Sequence, residues 1–406
     1  MKDINNALIP ELGIMKTPKF SEMYPALNKW MLDNLDIQDS RVGKTKELLD
    51  FKTMLTNPYN RCVGGFGRDI NIFFLLAEAM WIFNGKKDVH FLTLFNKKMS
   101  DFSDDGKTFH APYGFRLRHW GVRAEDTFLE ENMNVAQGHD QIADAVKILN
   151  ENSDSRQVVL QIWNPDFDLG AKTKDTPCND TLMVKVRKGK LISTIQNRSN
   201  DLHWGLPTNI FQFSFLTELF ANCIGVELGT QTHNSQSLHI YEWNETASKM
   251  KDAFEIREAQ QSMGHITSQP ELYEVSHSKK IDFNFEHEVP GNRLREIDIH
   301  LNLIIDNLTK LAAGETASLI ELQEVSKFSK YLYLAYNLCA IYLRYKKLLA
   351  DKNNDAQLLR VGSLQLIDSC VNNIDPEMSN LDIVVLAKNF FASRLKDYTH
   401  EYLGKL

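Results

Sequence analysis

Between Thr176 and Tyr241 the chain carries residue types that could do chemistry together. Pro177-Cys178-Asn179 opens the segment, Asn197-Arg198-Ser199-Asn200-Asp201 and Gly205-Leu206-Pro207-Thr208-Asn209 follow, and His239-Ile240-Tyr241 closes it. A thiol becomes a useful nucleophile when a nearby cation favours the thiolate, and Arg198 is the natural cation for Cys178. Guanidinium forks hold a dianion strongly and in one orientation. The Asn209 amide offers both a donor and an acceptor to a ring edge. Alternation along a strand would put His239 and Tyr241 on one face. The set amounts to a nucleophile, an anion clamp and hydrogen-bonding groups for a polar heterocycle and its sugar. Each residue alone has a plainer reading. A free cysteine is usually a small buried hydrophobe, an asparagine near a helix start often caps backbone groups, and a His/Tyr pair can be core.

In order and spacing these runs resemble the thymidylate synthase family, which includes the phage pyrimidine nucleotide hydroxymethylases. The likeness spans roughly residues 35–245. It implies that Cys178 attacks C6 of a pyrimidine nucleotide. C5 is a poor nucleophile until C6 is saturated, so this covalent step lets C5 attack the one-carbon unit of 5,10-methylenetetrahydrofolate. By the same resemblance Arg198 and Ser199 bind phosphate. Arg41, in Asp39-Ser40-Arg41-Val42-Gly43, resembles a further phosphate arginine. Arg156, in Asp154-Ser155-Arg156-Gln157, resembles an arginine that reaches across a homodimer interface, although Gln157 stands where a second arginine is usual. The family uses Asn at the position of Asn209 for uracil and Asp for cytosine, which favours dUMP over dCMP. His239 and Tyr241 resemble the pair that holds the sugar 3′-hydroxyl, and Asp201 the carboxylate that bonds the pterin ring. Glu78 resembles the catalytic glutamate that shuttles protons near O4, and burial would raise its pKa toward a general-acid range. Tyr113, in Pro112-Tyr113-Gly114, resembles the tyrosine near the C5 proton. No metal is implied.

Three departures concern how the reactive carbon is shielded from water. The family's synthases carry a tryptophan against the folate, and Lys98-Met99-Ser100-Asp101-Phe102 has none. Asn179 stands where a histidine often follows the nucleophile. Residues 291–406 replace a short closing tail. A synthase must exclude water so that folate can deliver hydride, whereas a hydroxymethylase must admit it. The departures therefore point to a dUMP hydroxymethylase, with thymidylate synthase as the alternative. A catalytically silent nucleotide-binding regulatory protein is the reading from another class. Cys178, Glu78 and Tyr113 together argue against it, since a binding module needs none of them.

The elements that must position these residues are legible in outline. Apolar residues dominate 70–85 and Gly85 ends the run, which predicts a buried helix carrying Glu78. Such a carboxylate is costly to bury unless paired or working. Val158–Trp163 reads as a strand, and Leu182–Val186 and Leu191–Ile195, joined by Arg187-Lys188-Gly189-Lys190, read as a hairpin. Ile210, Phe213, Leu216, Phe220 and Ile224 recur at helical spacing behind Pro207. Polar residues 245–290 predict a loop-rich connection. Helical stripes then run over 294–311 and roughly 317–350, 355–373 and 380–402, with no strand pattern. The expected fold is α/β, a thymidylate-synthase-like mixed sheet with flanking helices over residues 1–290, plus an all-helical C-terminal domain over 291–406.

Composition bounds the rest. With 43% hydrophobic and 24% charged residues over 406 positions, the chain has an ordinary globular balance. A net charge of −7 gives no general attraction to nucleic acid, so any phosphate site must be local. The five cysteines are scattered, without C-x-x-C spacing, which disfavours a disulfide framework or zinc site and fits a reducing compartment. No cationic stretch leads into an apolar one at Met1-Lys2-Asp3-Ile4-Asn5-Asn6, and no apolar run reaches membrane length. The expected location is cytoplasmic.

Overall fold

The computed structural model describes residues 8–9, 13–40, 43–64, 68, 70–124, 138–262 and 280–395. Its strands are β1 (Leu8–Ile9), β2 (Ile14–Thr17), β3 (Ile37–Ser40), β4 (Gly43–Leu55), β5 (Val159–Gln161), β6 (Asn179–Arg187), β7 (Lys190–Asn197), β8 (Asn200–Asp201) and β9 (Glu227–Tyr241). They form one mixed sheet in the order β1-β2-β4-β9-β7-β6-β5, with β3 added to β4 and β8 to β9. β7 runs parallel to β9, and β6 is antiparallel to β7 and β5.

The β6–β7 hairpin forms because Lys188 and Gly189 both take positive φ, 52° and 70°. That two-residue turn matches the right-handed twist of the strands. At the open end of the hairpin Asn179 pairs with Asn197. Cys178 and Arg198 therefore sit side by side just beyond the ladder, and the Arg198 amide donates to the Cys178 carbonyl at 3.1 Å. The strand expected over 158–163 is regular over Val159–Gln161, and the amides of Ile162 and Trp163 both donate to the Asp180 carbonyl of β6.

Helices α1 (Phe20–Asn34), α2 (Ile72–Phe83), α3 (Tyr113–Arg118), α4 (Gln141–Glu151) and α5 (Leu206–Ile224) flank the sheet. Asn71 caps α2 by accepting from the Phe74 amide at 3.1 Å. At the other end Gly85, at φ 68°, donates to the Ile82 carbonyl, and Lys86 donates to that of Trp81, both at 3.1 Å. This is the αL closure that glycine permits. Gly114 lets α3 lie on the end of α2, since a Cβ there would come within 1.9 Å of the Ile82 carbonyl oxygen. Tyr113 is thereby tied to the helix that carries Glu78. Helix α5 has a proline in its first turn and ends at Gly225, φ 74°.

The loop-rich connection expected over 245–290 is corrected by α6 (Glu245–Ser262). Its sequence lacks an apolar stripe because its attachment is largely polar. Asn28 donates to the Ala247 carbonyl at 2.9 Å, Lys29 pairs with Glu255 at 3.3 Å, and Lys251 pairs with Asp33. The single helix expected over 317–350 is two, α8 (Leu319–Phe328) and α9 (Lys330–Leu349), after α7 (Pro290–Ala313). Ser329 is extended and caps α9 through Leu332 N, and Asp282 accepts from the Lys330 and Tyr331 amides. α10 (Ala356–Ile374) and α11 (Asp382–Ala392) follow. Among the described residues this C-terminal region is wholly helical. It shares the core of the sheet region. Tyr342 on α9 stacks on Phe73 of α2 at 4.6 Å between ring centroids, and Phe390 and Phe391 close around the same ring.

Candidate active site

The site is assembled from the ends of β6, β7 and β9 and the starts of α3 and α5. Cys178 is half-buried at the entry to β6. Its backbone amide donates to the Tyr113 hydroxyl at 3.3 Å. The Arg198 guanidinium donates through Nε to the Pro177 carbonyl at 2.7 Å and through Nη2 to that of Thr176 at 3.1 Å, and Nη2 lies 3.8 Å from the Cys178 sulfur. The loop that presents the thiol thus also fixes the cation. Trp163 backs the guanidinium at 5.8 Å, a contact the strand reading of 158–163 did not suggest. Arg198 is exposed and Ser199 half-buried, so the pair faces outward where an anion can reach it.

Arg198 does not lower the thiol pKa on balance. Burial pushes the Cys178 thiol up, and the carboxyls of Asp175, Asp180 and Asp201 add to this, while Arg198 pulls it down. Burial likewise raises Asp175 and Asp180, each to about 6. Negative charge is therefore disfavoured around the thiol, an arrangement suited to holding it only when a partner brings compensation.

Glu78 points from α2 toward α5, where Gln212 donates to its carboxyl. Burial pushes this carboxyl up to about 8, with the Gln212 hydrogen bond opposing. The group is thus a protonated acid at neutral pH. Gln212 escaped the sequence reading, although it lies one turn beyond Asn209 on the same helix. Burial also raises the Tyr113 phenol far above its ordinary range.

Asn209, at the start of α5, is buried among other amides. Asn179 donates to its Oδ1 at 3.2 Å, and its own Nδ2 donates to Asn200 Oδ1 at 3.1 Å. Neither partner was singled out as an amide ligand from sequence. β8 pairs with β9 so that Asp201 lies opposite His239. The rings of His239 and Tyr241 meet edge to face at 5.1 Å on one face of β9, and Tyr241 stacks on the exposed Trp243 at 5.3 Å. Asp201 Oδ1 accepts the amides of His203 and Trp204, while Oδ2 is buried without a hydrogen-bond partner among the described residues. Burial raises its pKa. Such an orphan acceptor fits a ligand that presents N–H donors, as a pterin ring does.

Arg156 is exposed between α4 and β5. Arg41 lies outside the described residues. The segment without a tryptophan forms a 3₁₀ turn, Lys97–Phe102, with Phe102 49% exposed. Among the described residues no group of His, Cys, Asp and Glu is arranged to hold a metal ion, and no helix is long and apolar enough to cross a membrane.

Comparison with known proteins identifies the family. Residues 67–312 match the family model of thymidylate synthase. A deoxyuridylate hydroxymethyltransferase of Bacillus phage SP01 is 40% identical over 225 residues, 55% of this chain and 57% of the relative. One from Pseudomonas phage M6 is 38% identical over 192 residues, 47% of this chain and 50% of the relative. A putative thymidylate synthase of Methanothermobacter marburgensis is 29% identical over 227 residues, 54% of this chain and 87% of the relative. The chain spans about half the length of the phage relatives it matches.

Proposed function

Because the chain belongs to the thymidylate synthase family, we propose that it transfers a one-carbon unit to C5 of dUMP and yields 5-hydroxymethyl-dUMP. The observation that carries this reading is the shared loop at the nucleophile. One run of backbone, Thr176–Cys178, presents the thiol and fixes the Arg198 fork 3.8 Å from its sulfur. The identity to phage deoxyuridylate hydroxymethyltransferases supports the hydroxymethyl product over the methyl one.

In this mechanism the nucleotide phosphate meets Arg198 and Ser199, with Arg41 and a partner subunit's Arg156 completing the clamp. The sugar lies along His239 and Tyr241. Asn209 reads the base edge. Cys178 bonds through sulfur to C6, and the C5–C6 electron pair moves toward O4, where the protonated Glu78 offers a hydrogen bond. 5,10-Methylenetetrahydrofolate supplies the carbon that C5 takes up, and Asp201 Oδ2 is the acceptor that would hold its pterin ring. The C5 proton would leave near Tyr113 as tetrahydrofolate is released from the transferred carbon, which leaves an exocyclic methylene on C5. Water then adds to the exocyclic carbon and the sulfur departs from C6 as the C5–C6 double bond re-forms. Residues 1–290 carry this chemistry in our assignment, and the helices of 291–406 buttress it by packing on α2. We further assign the protein to the cytoplasm as a homodimer.

Product analysis tests the reading. Incubation with dUMP and 5,10-methylenetetrahydrofolate should yield a hydroxymethylated nucleotide by mass spectrometry without dihydrofolate. A methyl product with stoichiometric dihydrofolate would make it a synthase, because only hydride transfer oxidises the folate. Nucleotide binding without any product would make it a silent binding protein.

A further inference from the structure

Four buried asparagines link the nucleophile strand to the base-reading helix. Asn197, Asn179, Asn209 and Asn200 expose 2%, 0%, 7% and 1% of their surface. Asn197 donates to Asn179 Oδ1. Asn179 Nδ2 donates to Asn209 Oδ1 at 3.2 Å, Asn209 Nδ2 to Asn200 Oδ1 at 3.1 Å, and Asn200 Nδ2 to Ser235 Oγ at 3.2 Å. Every bond runs in the same donor-to-acceptor sense. We propose that the base preference of this site is set by the direction of this amide chain, with Asn179, Asn197 and Asn200 as positioning residues, and not by Asn209 alone. The proposal rests on the reading of Asn209 as the residue that meets the pyrimidine.

The chemistry is that of a planar amide. One lone pair of Asn209 Oδ1 and one hydrogen of Nδ2 are taken by Asn179 and Asn200. One acceptor and one donor remain for a ligand, in a fixed left-to-right order. Uracil offers an N3–H donor beside the O4 acceptor. Cytosine offers an N3 acceptor beside an amino donor, the reverse order. The same asparagine can therefore match either base, according to which way its amide faces. Turning Asn209 alone would set N–H against N–H and oxygen against oxygen at both of its neighbours, each an unpaired polar group in a buried site. Turning the whole chain leaves every internal link made, because the Ser235 hydroxyl can donate as well as accept. The chain thus has two coherent directions, and its members select one.

Carboxylates accept but cannot donate, so single Asn→Asp changes should steer the chain from chosen points. Asn179→Asp forces Asn209 to present Nδ2 to it. Asn197→Asp, one link further from the ligand, forces Asn179 to turn and reverses the same links. Asn200→Asp still accepts from Asn209 and keeps the original direction. The experiment is calorimetric titration of the full chain and the three variants with dUMP and with dCMP at pH 8. Repeating the titrations at pH 9 puts a carboxyl raised by burial, as Glu78 is, mostly into its ionised form. Thermal unfolding checks each variant's fold.

Wild type should prefer dUMP by about tenfold or more, the factor that one mispaired buried polar group gives. Asn179→Asp and Asn197→Asp should invert the dUMP/dCMP ratio, and Asn200→Asp should keep dUMP ahead. An unchanged ratio in a folded Asn197→Asp or Asn179→Asp variant would overturn the proposal while leaving the proposed function intact. So would an equal shift in all three variants, which would mark a charge effect. A wild type that does not distinguish the two nucleotides would instead remove the assignment of Asn209 as base reader.

Discussion

Gln212 on α5 donates a hydrogen bond to the Glu78 carboxyl on α2, so the acid of this site is held by the helix that also carries Asn209. Burial raises Glu78 from its ordinary value of 4.5 to about 8, and the Gln212 bond moderates the rise because it favours the charged form. Turnover that needs Glu78 as a proton donor should hold below pH 8 and fall as pH rises through it. Gln212→Leu should move that alkaline limb upward. The linkage to stability has a definite sign. The folded protein keeps a proton that the unfolded chain releases above pH 4.5, so Glu78 costs stability as pH rises from 4.5 to about 8 and adds no further change beyond. Glu78→Gln should abolish turnover and make the pH dependence of the melting temperature shallower across that window, with the slope that Asp175 and Asp180 contribute remaining. A pH–rate profile and melting curves check both.

Cys178→Ser should lose essentially all turnover while binding dUMP nearly as well as wild type. Binding rests on the arginines and Asn209, whereas only the thiolate can add to C6 across the C5–C6 double bond. Equilibrium titration beside single-turnover assays checks this, and undiminished turnover would rule out covalent catalysis by this residue.

Asn209→Asp should move preference from dUMP toward dCMP. A carboxyl group in place of the amide changes which hydrogen-bond pattern the pocket can satisfy, and an unpaired buried polar group costs about 1–3 kcal/mol. The measurement is the ratio of kcat/KM on the two nucleotides, and an unchanged ratio would remove Asn209 as the base reader.

Arg156 is exposed in a single chain and should act in the partner's site. Mixing Cys178→Ser chains with Arg156→Ala chains should restore activity, because one hybrid site is then intact. Sedimentation should show a dimer at assay concentration. No recovery after proven subunit exchange, or a monomer, would remove the cross-subunit clamp.

Local rules in the chain determined a good deal of this protein. Lys188-Gly189 closes a two-residue turn, so Cys178 and Arg198 had to emerge together at the far end of one hairpin. The apolar run ending at Gly85 and the proline before Asn209 made two helices with Glu78 and Asn209 on them. Tertiary structure decided what such periodicities do not encode. The polar stretch 245–262 is a helix because Asp33, Lys29 and Asn28 on α1 supply its partners. The C-terminal helices join the sheet's core because Tyr342 finds the ring of Phe73. The direction of the Cys178 pKa shift is a sum of burial and charges contributed by several segments, and the burial outweighs Arg198. The amide chain through Asn209 draws its members from β6, β7, β8, α5 and β9, and no spacing in one sequence announces a hydrogen bond between residues that only folding brings together.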